Sequence, residues 1–110
     1  MLTKRARILC IGKDPGLLRT RVAVLKHAGY DAQAAMFLDA DVVLRTGELD
    51  LIILSAILKD AERAHIISVV GGRTSILVLK EFIWASDLLA EVDRRIRHVR
   101  SLQLFRSTLT

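Results

Sequence analysis

The chain has 110 residues, of which 52% are hydrophobic, six are glycine and one is proline, so it suits one domain with a single apolar core. This composition excludes two separate domains, a disordered chain and a collagen-like repeat. Seventeen Lys and Arg against twelve Asp and Glu give a net charge of +5, which permits an acidic partner but lacks the dense basic blocks of a nucleic-acid-binding tail.

The chain opens with a predicted strand, a turn and a helix. Residues 8–11 are apolar without polar alternation, which is typical of a strand covered on both faces. Asp14 follows as the expected N-cap, and Pro15 occupies a first helical position. Apolar residues recur at helical spacing over residues 17–28, and Gly29 predicts a left-handed end. We expect the solvated side of this helix to carry Arg19, Arg21 and Lys26.

The next three elements are shorter. Residues 30–35 are less apolar and predict a strand at the edge of the sheet. Asp39 is the expected cap of a short helix over residues 40–45, which Gly47 ends. Residues 51–54 are again entirely apolar, so they predict a third strand that is buried on both faces.

Two helices flank the fourth predicted strand, residues 75–79. The first covers about residues 61–70 and stops at a Gly-Gly pair. Its expected inward residues are Ala64, Ile67 and Val70. Ser86 is the expected cap of the last, long helix. One apolar stripe of that helix contains Leu88, Leu89, Val92, Ile96 and Val99.

Four alternations of strand and helix predict an α/β fold: an open, parallel sheet with right-handed crossovers and helices on both faces. In such sheets, functional residues collect at the carboxyl ends of the central strands. The candidate site residues are therefore Gly12, Lys13 and Asp14 after the first strand, Ser55 after the third and Lys80 after the fourth.

Three separated segments carry a family resemblance: residues 8–19 (ILCIGKDPGLLR), 28–30 (AGY) and 50–54 (DLIIL). Together they resemble the receiver domain of two-component response regulators, a flavodoxin-like module that accepts a phosphoryl group on an aspartate. The resemblance implies a three-layer fold, in which a parallel sheet of about four strands in the order 2-1-3-4 lies between two layers of helices. Because Lys80 lies only 25 positions after Ser55, the domain is expected to be one strand-helix unit shorter than a usual receiver.

The resemblance also shows where the family's chemistry is lost. Receivers need a carboxylate nucleophile and two acidic side chains that hold magnesium, a cation that requires oxygen ligands. The phosphoacceptor position falls on Ser55, and the acidic pair falls on Gly12 and Lys13. Only Asp14 remains, and we interpret it as a helix cap. The sequence thus predicts a pseudo-receiver that binds no metal and no other cofactor.

Residues near the end of the sheet leave alternatives open. By strand order, Lys80 matches the family's switch Ser/Thr after strand four, whereas by local context it resembles the lysine after strand five. Phe82 and Trp84 are candidate interface residues, although core packing is the preferred interpretation, and residues 82–84 could be a remnant of a fifth strand. An under-covered face of the sheet could support a homodimer.

The arginines of the last helix are the remaining candidates for a binding surface. Arg94 and Arg97 could contact a partner or nucleic acid, but Asp87, Glu91 and Asp93 share the helix. Cations near a helix C-terminus also oppose its dipole favourably. A solvated helix face is therefore the preferred interpretation.

Cys10 is the one cysteine of the chain, which excludes an intramolecular disulfide and favours a reducing compartment, the cytoplasm. We expect it to be packed in the first strand. The apolar run that contains it is too short for a signal peptide or a membrane span, so no membrane association is expected.

The main hypothesis is a single receiver-like domain over residues 1–110 that has lost phosphorylation. It would act in signal transduction through protein–protein contacts, without enzymatic activity or a small-molecule substrate. Nucleic acid is not expected as a partner, but a nucleic-acid-binding module that uses the basic C-terminal helix is the alternative. An enzyme of the phosphocarrier type, with Cys10 as acceptor, is the second alternative.

Overall fold

The computed structural model describes residues 5–80 and 83–109, with the side chains of residue 46 and of residues 103–109 left aside. The strands are β1 (Arg7–Gly12), β2 (Asp31–Met36), β3 (Leu51–Leu54) and β4 (Ser75–Val78). The α-helices are α1 (Pro15–His27), α2 (Ala40–Thr46), α3 (Asp60–Val70) and α4 (Ala85–Leu109), and a 3-10 turn over Phe37–Asp39 precedes α2.

The four strands form one parallel sheet in the order β2-β1-β3-β4, as the sequence predicts. Cys10 in the middle of β1 lies opposite Ala34 of β2 on one side and Ile53 of β3 on the other. β3 is buried along its whole length, whereas β2 at the edge exposes half of its residues. The all-apolar runs 8–11 and 51–54 therefore lie in the central strands. The third all-apolar run, residues 76–79, also predicts a strand covered on both faces, but β4 is an edge strand and is only partly buried.

Alternate residues of the central strands supply two apolar layers, because successive side chains of a strand point to opposite faces. One layer joins α1 and α4 to the sheet and contains Ile8, Cys10, Leu51, Ile53, Leu18, Leu25, Leu88, Val92 and Ile96. The other joins α2 and α3 to the sheet and contains Leu9, Ile11, Ile52, Leu54, Ala40, Leu44, Ile66 and Val70. The predicted three-layer arrangement is confirmed.

The ends of α1 match the predicted signals. The Asp14 carboxylate accepts hydrogen bonds from the backbone N–H groups of Gly16 and Leu17, at 3.0 and 3.2 Å. Gly29 follows the helix with a φ of 98°, a left-handed conformation that glycine adopts without strain. The Asp14 cap holds the loop after β1 at the carboxyl edge of the sheet.

The inward face of α3 differs from the prediction. Ile66 and Val70 are buried, whereas Ala64 is exposed and Ile67 is 49% exposed. One helical step turns a side chain by about 100°, so burying Ile66 directs its neighbour Ile67 towards the flank of the helix.

Two predicted caps are also wrong. Asp39 makes no capping hydrogen bond, because it ends a 3-10 turn and its backbone (φ −103°, ψ −3°) is not the extended conformation that an N-cap requires. α4 begins at Ala85, so Ser86 lies inside its first turn. Within residues 5–80 and 83–109, no helix combines the length and the apolar character that a membrane span needs.

Candidate functional site

Ser55 lies directly after β3, at the carboxyl edge of the sheet. Its backbone N–H donates to the carbonyl oxygen of Ile11 at 3.0 Å, which extends the pairing with β1 by one residue. Its own carbonyl accepts from Leu58 N–H at 3.2 Å and closes the turn towards α3. The residue is only 3% exposed, so its hydroxyl is directed into the protein.

Gly12 ends β1 next to Ser55 and is buried. A Cβ atom added to Gly12 would lie 2.4 Å from Ser55 Oγ and 3.2 Å from Leu18 Cδ2. The hydroxyl of Ser55 therefore occupies the space that a side chain at position 12 would need. Glycine allows this close approach, and a larger side chain at position 12 fits only if Ser55 moves.

Arg21 completes this cluster from α1. Its guanidinium Nη1 donates a hydrogen bond to Ser55 Oγ at 2.6 Å, and the residue is only 6% exposed. The prediction that Arg21 lies on the solvated side of the helix is therefore wrong. Leu18, Arg21 and Leu25 are spaced by three and four positions and form one inward stripe. We call Gly12, Arg21 and Ser55 together the Ser55 site.

Burial shapes the ionisation of the groups around the Ser55 site. It raises the pKa of the Cys10 thiol to about 11, and the positive charge of Arg21 opposes this rise. Burial also lowers the pKa of the Arg21 guanidinium from its usual value, although arginine stays protonated in proteins. The cluster thus holds a fixed cation beside a neutral thiol and a neutral hydroxyl.

Lys13 follows Gly12, but its side chain contacts α3 and not the Ser55 site. Its Nζ lies 2.8 Å from Glu62 Oε1 near the start of α3. The same carboxylate oxygen accepts from the backbone N–H of Lys59 at 2.8 Å. Contacts with Lys13 and Lys59 lower the pKa of Glu62. Lys13 therefore ties the loop after β1 to the first turn of α3.

These residues do not fit the magnesium ion that a receiver pocket would hold. A cation of this kind needs several oxygen ligands in octahedral geometry. Position 12 offers no side chain, Lys13 is itself cationic, and the carboxylate of Asp14 is used as a cap. The Ser55 hydroxyl already faces the Arg21 guanidinium. In the part of the chain that the structure describes, no three His, Cys, Asp or Glu side chains converge as metal ligands would.

Comparison with known proteins identifies the fold. No protein-family model and no curated protein matches the sequence. Among solved structures, the chain is similar to the CheY-like response regulator receiver domain protein from Methanospirillum hungatei JF-1 (TM-score 0.65, 12% identity, 89% of this chain and 98% of that chain). It is also similar to the non-phosphorylated receiver domain of HemR from Leptospira biflexa (TM-score 0.67, 19% identity, 84% of this chain and 94% of that chain).

The chain has the fold of a response regulator receiver domain. A signal receiver domain from Vibrio parahaemolyticus gives the same result, with a TM-score of 0.65, 16% identity, and 93% of this chain and 98% of that chain covered. The resemblance inferred from the sequence is thus confirmed at the level of fold. At these identities the side chains of the receiver fold have diverged, so the chemistry must be argued from the residues present.

A second feature of this receiver-fold chain is a groove between β4 and α4. It has a volume of about 810 Å³ and is lined by Lys80, Trp84, Arg94 and Arg95, among others. Trp84 is 69% exposed, so the preferred prediction of core packing is wrong. The tryptophan precedes α4 beyond the edge strand, where no further strand among the described residues covers it. Phe82 lies outside the described residues.

Lys80 lies two positions after the end of β4 and is exposed. It borders the groove, whereas Lys13 contacts Glu62, so these two lysines belong to different features of the surface. The equivalence of Lys80 to one or the other conserved position of the receiver family stays a prediction.

The arginines of α4 are engaged within the chain. Arg94 pairs with Glu91, and Arg95 donates to the same glutamate and to the carbonyl oxygen of Ile76, at 3.3 and 3.1 Å. Arg97 Nε donates to the carbonyl oxygen of Asp93 at 3.3 Å. These contacts give no support to the alternative of a nucleic-acid-binding helix, because that use requires guanidinium groups directed at phosphates.

Proposed function

We propose that this chain is a receiver-like signalling domain that does not accept a phosphoryl group and that acts through contacts with other proteins. The observation that carries the proposal is the hydrogen bond from Arg21 Nη1 to Ser55 Oγ, 2.6 Å long and buried. This contact puts a permanent cation beside Ser55, the residue that we assign to the phosphoacceptor position. We therefore expect this edge of the sheet to keep one conformation, because no phosphoryl group is added to change it.

The Ser55 hydroxyl is a poor nucleophile in these surroundings. A serine becomes nucleophilic when an adjacent base takes its proton. Its partner Arg21 is a donor only, and the neighbouring Cys10 thiol is neutral because burial raises its pKa to about 11. At 3% exposure, Ser55 also offers little access to a phosphoryl donor.

We infer signalling through protein–protein contacts from two points together: the receiver fold and the absence of a phosphoryl acceptor. Receiver domains are in general signalling modules that work on other proteins, and the absent phosphoryl chemistry leaves recognition as the remaining use. We propose no enzymatic turnover. We place the domain in the cytoplasm, since its single cysteine is a free, buried thiol.

The proposal is tested with a small-molecule phosphoryl donor and magnesium, followed by measurement of the intact mass. A receiver domain that retains its aspartate, treated in the same reaction, shows that the donor is active. We expect no adduct on this chain. A stoichiometric phosphate adduct that disappears in the Ser55→Ala variant would show that Ser55 accepts the group and would overturn the proposal.

A further inference from the structure

The outer edge of β4 presents backbone groups that face away from the sheet. Leu79 N–H donates to the carbonyl oxygen of Leu54 at 3.0 Å, so the odd-numbered residues of this segment face β3. Ile76 and Val78 therefore direct their N–H and C=O groups outward. The carbonyl of Ile76 accepts a hydrogen bond from Arg95. Among the described residues, no backbone group pairs with the outward N–H and C=O of Val78.

The groove described above runs along this edge. Its floor includes Leu77, Val78 and Leu79 of the β4 segment, and Trp84 stands beside them. A smaller hollow of about 310 Å³ continues past Ser75 towards His98. An extended segment placed here could thus add backbone hydrogen bonds to β4 and bury part of Trp84.

The charges beside the edge favour an acidic segment. Lys80, Arg94 and Arg95 border the groove, against Asp87 and Glu91. Glu91 contacts both arginines, so its charge is already compensated within the chain. Three cationic and two acidic side chains leave the groove with a net charge of +1, which favours an acidic strand over a basic one.

We propose that an acidic, extended segment of another protein adds to β4 as a fifth, outer strand of the sheet. This inference rests on the proposed function, because it names the surface and the partner chemistry of the proposed protein contacts. The segment alternates acidic and apolar residues. Its acidic residues lie on the α4 side of the sheet, where they face Arg94 and Arg95, and its apolar residues lie on the opposite side, next to Ile76 and Val78.

Arg95 changes its hydrogen-bond partner when a strand adds to β4. It covers the outward carbonyl of Ile76 at 3.1 Å in the free domain, which protects an edge strand from unwanted pairing. When a strand adds to β4, a backbone N–H of that strand takes over the Ile76 carbonyl. The guanidinium is then released and pairs with an acidic side chain of the incoming segment.

A second copy of this chain is a poorer occupant of the same edge. Antiparallel pairing of β4 with itself would place a twofold axis close to Leu77. Arg95, which contacts Ile76, would then lie near the Arg95 of the other copy, with both Arg94 residues beside them. Like charges that face each other across a strand pair are destabilising.

The test uses three blocked peptides with valine at alternate positions and glutamate, threonine or lysine between them. Trp84 is the only tryptophan of the chain and lies in the groove, so its fluorescence reports binding directly. We expect the glutamate peptide to shift the emission to the blue and to bind at least about tenfold more tightly than the lysine peptide, because electrostatic complementarity selects the partner. Equal binding of the acidic and basic peptides would overturn the acidic assignment.

Backbone pairing is tested with a matched pair of variants. Val78→Pro removes the outward N–H without removing a bond to β3, a change that an edge strand accommodates, whereas Val78→Ala keeps the N–H. We expect Val78→Pro to abolish binding and Val78→Ala to retain it. Two glutamate peptides, one N-methylated at the valines and the other at the glutamates, give the same test on unaltered protein, because each blocks one edge of the extended peptide. We expect the peptide whose methyl groups face β4 not to bind. Retained binding of both peptides would contradict strand addition.

The oligomeric state shows whether a second copy of this chain, and not another protein, occupies the edge. Sedimentation that shows a dimer which Val78→Pro dissociates would assign the edge to a second copy and overturn the proposal; a monomer supports it. The peptide experiments report on β4 and the phosphoryl-donor experiment reports on Ser55. Failure of this inference is therefore distinguishable from failure of the proposed function.

Discussion

Gly12 and Ser55 lie so close together that a methyl group on Gly12 would approach Ser55 Oγ to 2.4 Å. Ser55 is buried, and its hydroxyl fills the space in which a side chain at position 12 would stand. The absence of a side chain at position 12 and the inward orientation of Ser55 therefore depend on each other.

The close approach predicts a steric cost at position 12. We expect Gly12→Ala to lower the free energy of unfolding by about 1–3 kcal/mol, the usual cost of overpacking a filled site. In a Ser55→Gly background, which removes both atoms of the clashing side chain, the same substitution should cost less than half as much. Chemical denaturation of the four proteins measures this coupling. Equal costs in the two backgrounds would contradict the contact.

The hydrogen bond between Arg21 and Ser55 predicts that substitutions of its two partners lower the free energy of unfolding by different amounts. Ser55→Ala leaves a buried guanidinium without its hydroxyl partner and should destabilise the fold by about 1–3 kcal/mol. Arg21→Met removes the buried charge and keeps an apolar side chain on the inward stripe of α1, so it should cost less. With Met at position 21, the further change Ser55→Ala should be nearly neutral. Additive effects of the two substitutions would show that Arg21 and Ser55 do not interact.

Much of the fold could be predicted from the sequence, because local signals and tertiary packing agree. The all-apolar runs 8–11 and 51–54 predict the central strands, and Asp14 and Gly29 mark the ends of α1. The prediction for Arg21 is wrong because a charge on a helix usually indicates the solvated side. Its place between Leu18 and Leu25, at spacings of three and four, indicates the inward stripe instead.

Other features were beyond prediction from one sequence. Ile66 and Ile67 are equally apolar neighbours, and only the seating of α3 on the sheet decides which of them is buried. The exposure of Trp84 depends on β4 being the edge of the sheet. The contact from Lys13 to Glu62 joins residues that are far apart in sequence, and neither residue carries a local signal for it.

The Cys10 thiol is predicted to be unreactive in the native domain. It is fully buried, and burial raises its pKa to about 11, so the reactive thiolate is scarce at neutral pH. We expect a thiol reagent to label native protein at least about a thousandfold more slowly than unfolded protein, since labelling requires opening of the fold. Rapid labelling of folded protein would revive the phosphocarrier alternative.

The contact between Lys13 and Glu62 predicts a dependence of stability on acidic pH. The pKa of Glu62 in the folded state lies below the ordinary value of 4.5, with the hydrogen bond from Lys13 as its largest cause. A carboxylate of this kind stabilises the fold above its unfolded pKa, and the contribution disappears as the pH falls through the folded pKa.

The substitution Glu62→Gln isolates this contribution. The free energy of unfolding of the wild-type protein should exceed that of Glu62→Gln at neutral pH, and the difference should shrink as the pH is lowered below 4.5. Lys13→Ala is the matched control, because it removes the first cause of the shift and should reduce the difference at neutral pH. A difference that grows towards acidic pH would have the wrong sign for this contact.

The Arg21 guanidinium closes the Ser55 site, and we expect the site to take up no magnesium ion. Nuclear magnetic resonance of ¹⁵N-labelled protein titrated with millimolar magnesium is the decisive experiment. We expect the backbone amides of Gly12, Asp14 and Ser55 and the Nε–H of Arg21 to keep their chemical shifts throughout. Saturable shifts at these four groups would contradict this expectation, because they would show that magnesium enters the site.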